Sequence, residues 1–281
     1  MSNTGATIVV ATKNSDATLR RCLESIRGQT MACTLVVVDN HSSDATTDIA
    51  AELADAVLTV GPERSAQRNA GATLAVTDVV GFIDSDMILE PTVVEEAVTA
   101  IKNGATSVVV PETTVGEGYW ARVSAFERSL YVDSPSIEAP RFFLKSAFDL
   151  VGGFDETMTG AEDWDLGLRT FALGPRDKTV ATITHDEGRV RYFNSCMKKA
   201  YYAPGLMLFA KKHGAHGLSG VTRRPWLRDP RKLLQPLGPG LLLLKLGQFI
   251  AMLSAVIGST FGLRSSLPDR PPTKARRMRF H

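Results

Sequence analysis

Acidic side chains form two short motifs whose residue types and spacing could carry chemistry. In the first, Asp84-Ser85-Asp86 follows an apolar run that begins at Val79. Residues i and i+2 of a strand point the same way, so Asp84 and Asp86 would aim both carboxylates into one cleft. Two neighbouring carboxylates repel each other, and a hard cation such as Mg²⁺ or Mn²⁺ is the usual compensation. The alternative is that Asp84 ends a strand and Asp86 is solvated.

The second motif is Glu162-Asp163-Trp164-Asp165, at the predicted start of a helix. Carboxylates are favoured there by the helix dipole and by free N–H groups, so capping alone would explain them. The functional alternative is that one of them acts as a general base on an acceptor hydroxyl. Trp164 would then either enter the core or offer an aromatic face to a sugar ring.

His185, in the stretch TITHDEG, closes an apolar strand in the same acidic half of the chain. A lone histidine is more often structural than a ligand, but this one could complete a metal shell with Asp86. Arg64 and Arg68, in the stretch RSAQRNAG, lie near a predicted helix start, where they could face phosphates or be solvated.

Strands and helices must position these side chains. Short apolar strands alternate with helical segments through residue 112, which predicts an α/β fold with a doubly wound, mostly parallel sheet and helices on both faces. Beyond this point we predict a strand, a short helix, a helix with Trp164, Leu168 and Phe171 on one face, and a strand ending at His185. A basic, helical C-terminal region follows.

The first strand-to-helix turn reads ATKNSDAT and contains no glycine, which argues against a dinucleotide-binding GxGxxG loop. Asp39 nevertheless ends the second predicted strand, where an acid can bind a ribose or a base. The competing interpretation makes Asp39 a turn or helix-capping residue.

Composition divides the chain into two halves of opposite charge. Residues 1–188 carry 14 Lys/Arg and 28 Asp/Glu, a net −14, whereas residues 189–281 carry 18 Lys/Arg and 2 Asp, a net +16. Such a basic half suits an anionic partner. The three cysteines lack metal-ligand spacing, and the first residues lack a secretory layout, so we expect a cytoplasmic location.

The basic half also contains an uncharged stretch of 18 residues, Leu246–Leu263, which extends back to Leu241 if Lys245 is included. It is close to the length of a membrane span, while a core helix or an oligomer interface is the alternative. Lys and Arg mixed with Tyr, Trp and Leu around it favour a membrane surface. Nucleic acid is disfavoured, because no known binding motif accompanies the charge.

Six motifs occur in order over about the first 190 residues: IVVATKN, VVVDNHSSDAT, ERSAQRNAG, GFIDSD, GGFDE and AEDWDLGLR. In this order they resemble the family 2 inverting glycosyltransferases of GT-A fold. The resemblance implies a nucleotide diphosphate sugar donor (a UDP- or GDP-sugar), Mn²⁺ or Mg²⁺ as cofactor, and inversion at the anomeric carbon. The first turn departs from the family in lacking an aromatic residue, which leaves the choice of nucleotide open.

The resemblance also implies roles for individual residues. Asp163 is the expected general base, Glu162 and Trp164 line the acceptor side, and Asp86 and His185 bind the metal. The expected nucleotide-sugar-binding residues are Thr12, Asn14, Asp39, Arg68, Asp84 and Ser85.

We therefore predict a catalytic domain at residues 1–190, with a nucleotide-sugar half at about 1–112 and an acceptor half at about 113–190. Residues 191–281 are predicted to associate with a membrane or to oligomerise. The predicted reaction is glycosyl transfer to an acceptor hydroxyl or phosphate, with a lipid-linked acceptor at the inner face of the cell membrane and a role in cell-envelope glycan synthesis. The alternatives are nucleotidyl transfer to a sugar phosphate and non-catalytic binding of a nucleotide sugar.

Overall fold

The computed structural model describes residues 5–131, 138–222 and 229–260, and the side chains of all of these except 215–222 and 258–260. The predicted basic tail 268–281, residues 223–228 and the last residues of the apolar stretch, 261–263, lie outside that range. Within it, the chain forms two compact units. The first comprises Met1–Thr113, Glu138–Glu156 and Glu162–Asp186, and the second comprises Thr114–Ile137, Thr157–Ala161 and Glu187–His281.

Strands and helices alternate along the chain. The strands are β1 (Ala6–Thr12), β2 (Cys33–Asp39), β3 (Ala56–Thr59), β4 (Val79–Asp84), β5 (Met87–Leu89), β6 (Ser107–Val109), β7 (Glu112–Glu117), β8 (Pro140–Leu144), β9 (Arg176–Lys178) and β10 (Ile183–Arg189). The helices are α1 (Leu19–Arg27), α2 (Thr46–Leu53), α3 (Arg64–Ala72), α4 (Val93–Lys102), α5 (Tyr119–Ser129), α6 (Lys145–Leu150), α7 (Glu162–Phe171), α8 (Tyr192–Thr222, broken at Gly214) and α9 (Gly238–Thr260), with a 3₁₀ turn at Pro230–Leu234.

A seven-stranded sheet of order β3-β2-β1-β4-β8-β6-β9 forms the centre of the first unit. Strands β1 to β4 are parallel to one another, and β8 runs antiparallel to both β4 and β6. All residues of β1 are buried, and alternate ones enter different clusters: Ile8 and Val10 pack with α1 and α4, and Val9 packs on the other face. This two-faced burial confirms the predicted α/β fold with a mostly parallel sheet.

Trp164, Leu168 and Phe171 share one face of helix α7, as the sequence pattern predicted, but this is not the face that the helix buries. Leu166 and Thr170 are buried, whereas Phe171 is exposed. The reason lies at Gly167, where an added Cβ would lie 2.8 Å from Cδ of Pro140 in β8. The helix approaches the sheet through this glycine, and that contact fixes which side faces inward.

Helices α5, α8 and α9 make up most of the described part of the second unit. Leu241 and Leu244 of α9 are buried with Val123 of α5, and Ala255 is buried with two alanines of α8. The part of α9 from Gly238 to Ile257 has a mean hydropathy of 2.0 and is, among the described residues, the one helix long and apolar enough to cross a bilayer. Core helices of soluble proteins pass the same test, so this result alone is weak support for a span. The functional domain boundary predicted near residue 190 stays a prediction.

Candidate active site

The carboxyl ends of three neighbouring parallel strands bring the predicted nucleotide residues to one edge of the sheet. In the register of these strands, Thr12 at the end of β1 lies opposite Asp39 at the end of β2. On the other side of β1, Ala11 lies opposite Asp84, the last residue of β4. In open α/β sheets ligands bind at this edge, so the fold places the acidic motif where a ligand would be expected.

Asp84 is held by two arginines from different elements. Its Oδ1 lies 2.6 Å from the Nη2 of Arg68, and its Oδ2 lies 3.5 Å from the Nη1 of Arg141. Burial by itself raises the pKa of the Asp84 carboxyl, but the two guanidinium groups outweigh it and hold the pKa well below its usual range. Asp84 is therefore a permanent anion at neutral pH.

Arg68, from α3, joins the two acidic motifs. Its side chain is fully buried, and while Nη2 donates to Asp84, Nη1 donates to Oδ1 of Asp163 at 2.8 Å. The same Nη1 lies 3.5 Å from Oε1 of Glu162. The guanidinium carbon also lies 5.1 Å from the ring centre of Phe154, a cation–π distance. One buried cation thus fixes the position of Asp163 relative to Asp84, although the two lie far apart in the sequence.

The three acids in the first turn of α7 differ sharply in exposure. The side chain of Glu162 is 3% exposed and bonded to Arg64 at 2.9 Å, and that of Asp165 is 0% exposed and bonded to Arg169 at 2.6 Å. The Asp163 side chain is 27% exposed. Asp163 is therefore the one of these three carboxylates that both keeps a fixed orientation and can meet a substrate hydroxyl.

Asp86 and His185 come together through strand pairing. Residues His185 of β10 and Met87 of β5 are paired in an antiparallel ladder, and the Asp186 N–H donates to the Asp86 carbonyl at 2.8 Å. As a result His185 Nε2 lies 3.2 Å from Asp86 Oδ1, with both side chains largely buried.

The pair supplies one carboxylate oxygen and one imidazole nitrogen, a donor set that suits Mn²⁺ and, less well, Mg²⁺. No group of three or more His, Cys, Asp or Glu side chains converges in the described part of the chain. A cation here would take its remaining ligands from donor phosphates and water, as such ions commonly do. The Nδ1 of His185 is buried and has no hydrogen-bond partner among the described residues, so it could donate to a group that arrives with a ligand. With phosphate oxygens and water as the remaining ligands, the residues present fit a divalent cation.

The other predicted nucleotide residues lie along the same edge, with several of their polar groups engaged. Asp39 accepts from the Ser42 N–H at 2.8 Å and from its hydroxyl at 2.5 Å, as a turn residue does. Asn14, at a positive φ of 48°, accepts from the Ser43 N–H at 2.9 Å, and Ser85 Oγ lies 3.0 Å from Ser15 Oγ.

Thr12 differs from these residues, because its hydroxyl is buried and makes no hydrogen bond within the described part of the chain. Trp164 is half-buried, which suits either of its predicted roles. The nucleotide-binding and acceptor-binding roles of all these residues stay predictions.

Sequence reasoning missed two charged residues of this site, Arg141 and Glu112. Arg141, the second residue of β8, has its Nη2 2.7 Å from Oε1 of Glu112 and also faces Asp84. Burial lowers the pKa of Arg141, but the carboxylates of Glu112 and Asp84 raise it above the ordinary arginine value. The available signal was a lone arginine in the strand PRFFL, because a charge inside an apolar strand is rarely buried without a partner.

Comparison with known proteins identifies the family to which the chain belongs. The sequence model described as "Glycosyl transferase family 2" matches residues 7–155, more than half of the chain. The chain belongs to glycosyl transferase family 2. The pre-mycofactocin glycosyltransferase of Mycobacterium tuberculosis (strain H37Rv) is 29% identical over 240 residues, which cover 75% of this chain and 49% of that protein. The validoxylamine A glucosyltransferase of Streptomyces hygroscopicus subsp. limoneus is 29% identical over 218 residues, covering 59% and 48%. The chain thus spans about half the length of these relatives, and the prediction of a glycosyltransferase is confirmed.

Solved glycosyltransferases share the fold. S. aureus TarS 1-349 in complex with UDP-GlcNAc has a TM-score of 0.55 at 15% identity, covering 95% of this chain and 98% of that one. The mannosyltransferase PcManGT from Pyrobaculum calidifontis, in complex with GDP-Man and Mn²⁺, has a TM-score of 0.55 at 16% identity, covering 92% and 81%. At such identities the likeness establishes the GT-A fold.

Proposed function

We propose that this family 2 glycosyltransferase moves a sugar from a UDP- or GDP-sugar to an acceptor hydroxyl or phosphate in a single displacement, with inversion of the anomeric carbon. The observation that carries the proposal is the pairing of Asp163 with Asp84 through Arg68, at the sheet edge where ligands bind. The neighbours solved with UDP-GlcNAc and with GDP-Man support a nucleotide sugar as donor.

Asp163 is the proposed general base. Its exposed part can accept the proton of an acceptor hydroxyl while its bond to Arg68 keeps the carboxylate in one orientation. Attack by the acceptor oxygen on the face opposite the departing phosphate then inverts the anomeric centre, as in inverting glycosidases.

Asp86 and His185 are the proposed ligands of Mn²⁺ or Mg²⁺, and the neighbour solved with Mn²⁺ supports a divalent cofactor. When bound, such a cation supplies positive charge to the departing nucleoside diphosphate. Asp84, kept ionised by its two arginines, would face the donor ribose rather than a metal.

We further propose that the protein associates with a membrane and that its acceptor is lipid-linked. It would act at the inner face of the cell membrane, in envelope glycan synthesis. This part of the proposal is supported by the excess of positive charge in residues 189–281 and by the apolar helix α9. Complete recovery of the chain in the soluble fraction at low salt, without detergent, would contradict this part.

The experiment that tests the catalytic proposal compares Asp163→Asn with Asp177→Asn, which alters an exposed acid outside the site. Release of nucleoside diphosphate is measured for UDP-glucose, UDP-GlcNAc and GDP-mannose with Mn²⁺, alongside donor affinity. Loss of the base should lower turnover about 10²–10⁴-fold without weakening donor binding, and the control should match the wild type. Near-normal turnover of Asp163→Asn, or a product that retains the donor's anomeric configuration, would refute the mechanism.

A further inference from the structure

Helix α9 presents a continuous apolar face on the outside of the second unit. Seven large apolar side chains form this face, each between 46% and 63% exposed: Leu242, Leu243, Leu246, Phe249, Ile250, Leu253 and Ile257. At 3.6 residues per turn they fall within about 120° of arc and extend over about 22 Å. An exposed apolar face of this size marks an interaction surface.

The opposite face of the helix is fixed to the rest of the unit along its length. Leu241, Leu244, Gln248 and Ala255 are buried. Polar contacts add to this packing, since Lys245 Nζ lies 2.5 Å from Glu127 of α5 and Gln248 donates to the Ser195 hydroxyl of α8 at 3.0 Å. The helix therefore has a protein side and an outer side, although apolar residues occur on every side of it.

These contacts are incompatible with α9 crossing a bilayer in its observed packing. Its partners carry charged side chains, including Arg122 of α5 and Lys198 and Lys199 of α8, all exposed. A spanning α9 would have to draw these charges into the hydrocarbon or give up its buried face, and both are costly.

The positive charge of this part of the chain favours one kind of partner for the outer face of α9. Residues 189–281 carry a net +16, and the described basic residues Lys198, Lys199, Lys211, Lys212 and Arg231 are exposed. A symmetric dimer built on this face would pair two copies of a part of the chain that has a strong positive charge. An anionic lipid surface instead complements the charge and accepts the apolar side chains.

We propose that α9 lies in the plane of an anionic membrane surface, with the exposed apolar side chains between Leu242 and Ile257 inserted on one side and the rest of the second unit on the other. This inference rests on the membrane association proposed above and specifies its geometry. It can fail while the glycosyl transfer mechanism stands, since its test needs no sugar donor.

The test measures co-sedimentation of the full 281-residue chain with vesicles of phosphatidylcholine, with and without phosphatidylglycerol. The variant Leu246→Ser/Phe249→Ser removes apolar surface without adding charge, and Leu150→Ser, at an exposed leucine of the first unit, is the matched control. We expect wild type and control to bind the anionic vesicles and the double variant to bind about tenfold more weakly or worse. Equal binding of all three proteins would overturn the proposal.

A depth measurement separates lying on the membrane from spanning it. A fluorophore is attached to a cysteine introduced at Leu242, Phe249 or Ile257, and quenching by spin-labelled lipids reports its depth. We expect one shallow depth at all three sites, whereas a deep position at Phe249 between two shallow ends would show a span and overturn the inference. If instead the chain sediments as a dimer that the double variant dissociates, and binds no vesicles, the face belongs to a second copy and the proposal is also overturned.

Discussion

At the scale of single residues, the site depends on a buried cation shared by carboxylates. Arg68 is fully buried, so its desolvation must be offset by Asp84, Asp163 and the nearby Glu162. The same contacts orient Asp163 while leaving part of it exposed. The position of Arg68 therefore favours a role in orienting the proposed general base, Asp163. The sequence resemblance instead predicted that Arg68 binds the nucleotide sugar.

Arg68→Met distinguishes these two roles. If Arg68 orients Asp163, we expect kcat to fall while UDP affinity with Mn²⁺ changes little, and the loss should be non-additive with Asp163→Asn in a double-mutant cycle. The variant will also be destabilised, by about 3–5 kcal/mol, because it leaves buried carboxylates without their cation. Arg68→Lys keeps the charge and should restore part of kcat. Weakened UDP binding at an unchanged kcat would instead support direct contact with the nucleotide.

At the scale of elements, the packing of α5 against α9 includes a largely buried ion pair. Glu127 faces Lys245 and accepts from the Tyr131 hydroxyl, and Lys199 contributes further positive charge. Burial raises the pKa of Glu127, but the Lys245 ammonium outweighs this effect and lowers the pKa below 4.5, the ordinary value. A carboxyl with a lowered folded-state pKa stabilises the fold above its unfolded-state pKa and loses this contribution as pH falls through the folded-state value.

Glu127→Gln should therefore destabilise the second unit in a pH-dependent way. We expect a loss of about 1–3 kcal/mol near pH 7, since Lys245 would keep its charge without its carboxylate partner. The difference from the wild type should shrink as the pH falls below 4.5 and then through the lower folded-state pKa of Glu127, where the wild-type carboxyl also becomes protonated. Denaturation curves across pH 3–7 measure this, with the exposed Glu24→Gln as a control expected within about 0.5 kcal/mol of the wild type. A pH-independent difference would show that packing, not charge, connects the two helices.

At the scale of the whole molecule, the acidic and basic parts of the chain correspond to the two proposed tasks, glycosyl transfer and membrane binding. The net −14 of residues 1–188 includes the acids of the candidate site, and the net +16 belongs to residues 189–281, the part of the sequence that contains α9. A carboxylate-rich site with an anionic nucleotide sugar as its proposed ligand needs positive charge of its own. The structure supplies it through Arg64, Arg68 and Arg141, and the proposed cation would add to it.

A ligand that binds only the folded state stabilises the whole molecule, so UDP with Mn²⁺ should raise Tm. At a hundred times Kd the gain is about 2.7 kcal/mol, which corresponds to a shift of roughly 5 °C or more. EDTA should remove the Mn²⁺-dependent part of this shift. Asp86→Asn and His185→Ala should also remove it, while Asp177→Asn should retain it. An equal shift with and without Mn²⁺ would contradict the metal assignment. A parallel series with GDP in place of UDP tests which nucleotide the site prefers.

The sequence by itself determined the alternation of elements and the identity of the acidic motifs. Hydrophobic periodicity and turn residues are local properties, so the ends of the strands at Asp39 and Asp84 were predicted to within one or two residues. Only the tertiary structure decided which charges meet. Arg68, Arg141 and Glu112 acquire their roles from contacts between elements distant in sequence, and the buried face of α7 is set by Gly167 against β8. The outer face of α9 was likewise undetermined, because apolar residues occur on every side of this helix and no side is preferred until its neighbours cover one.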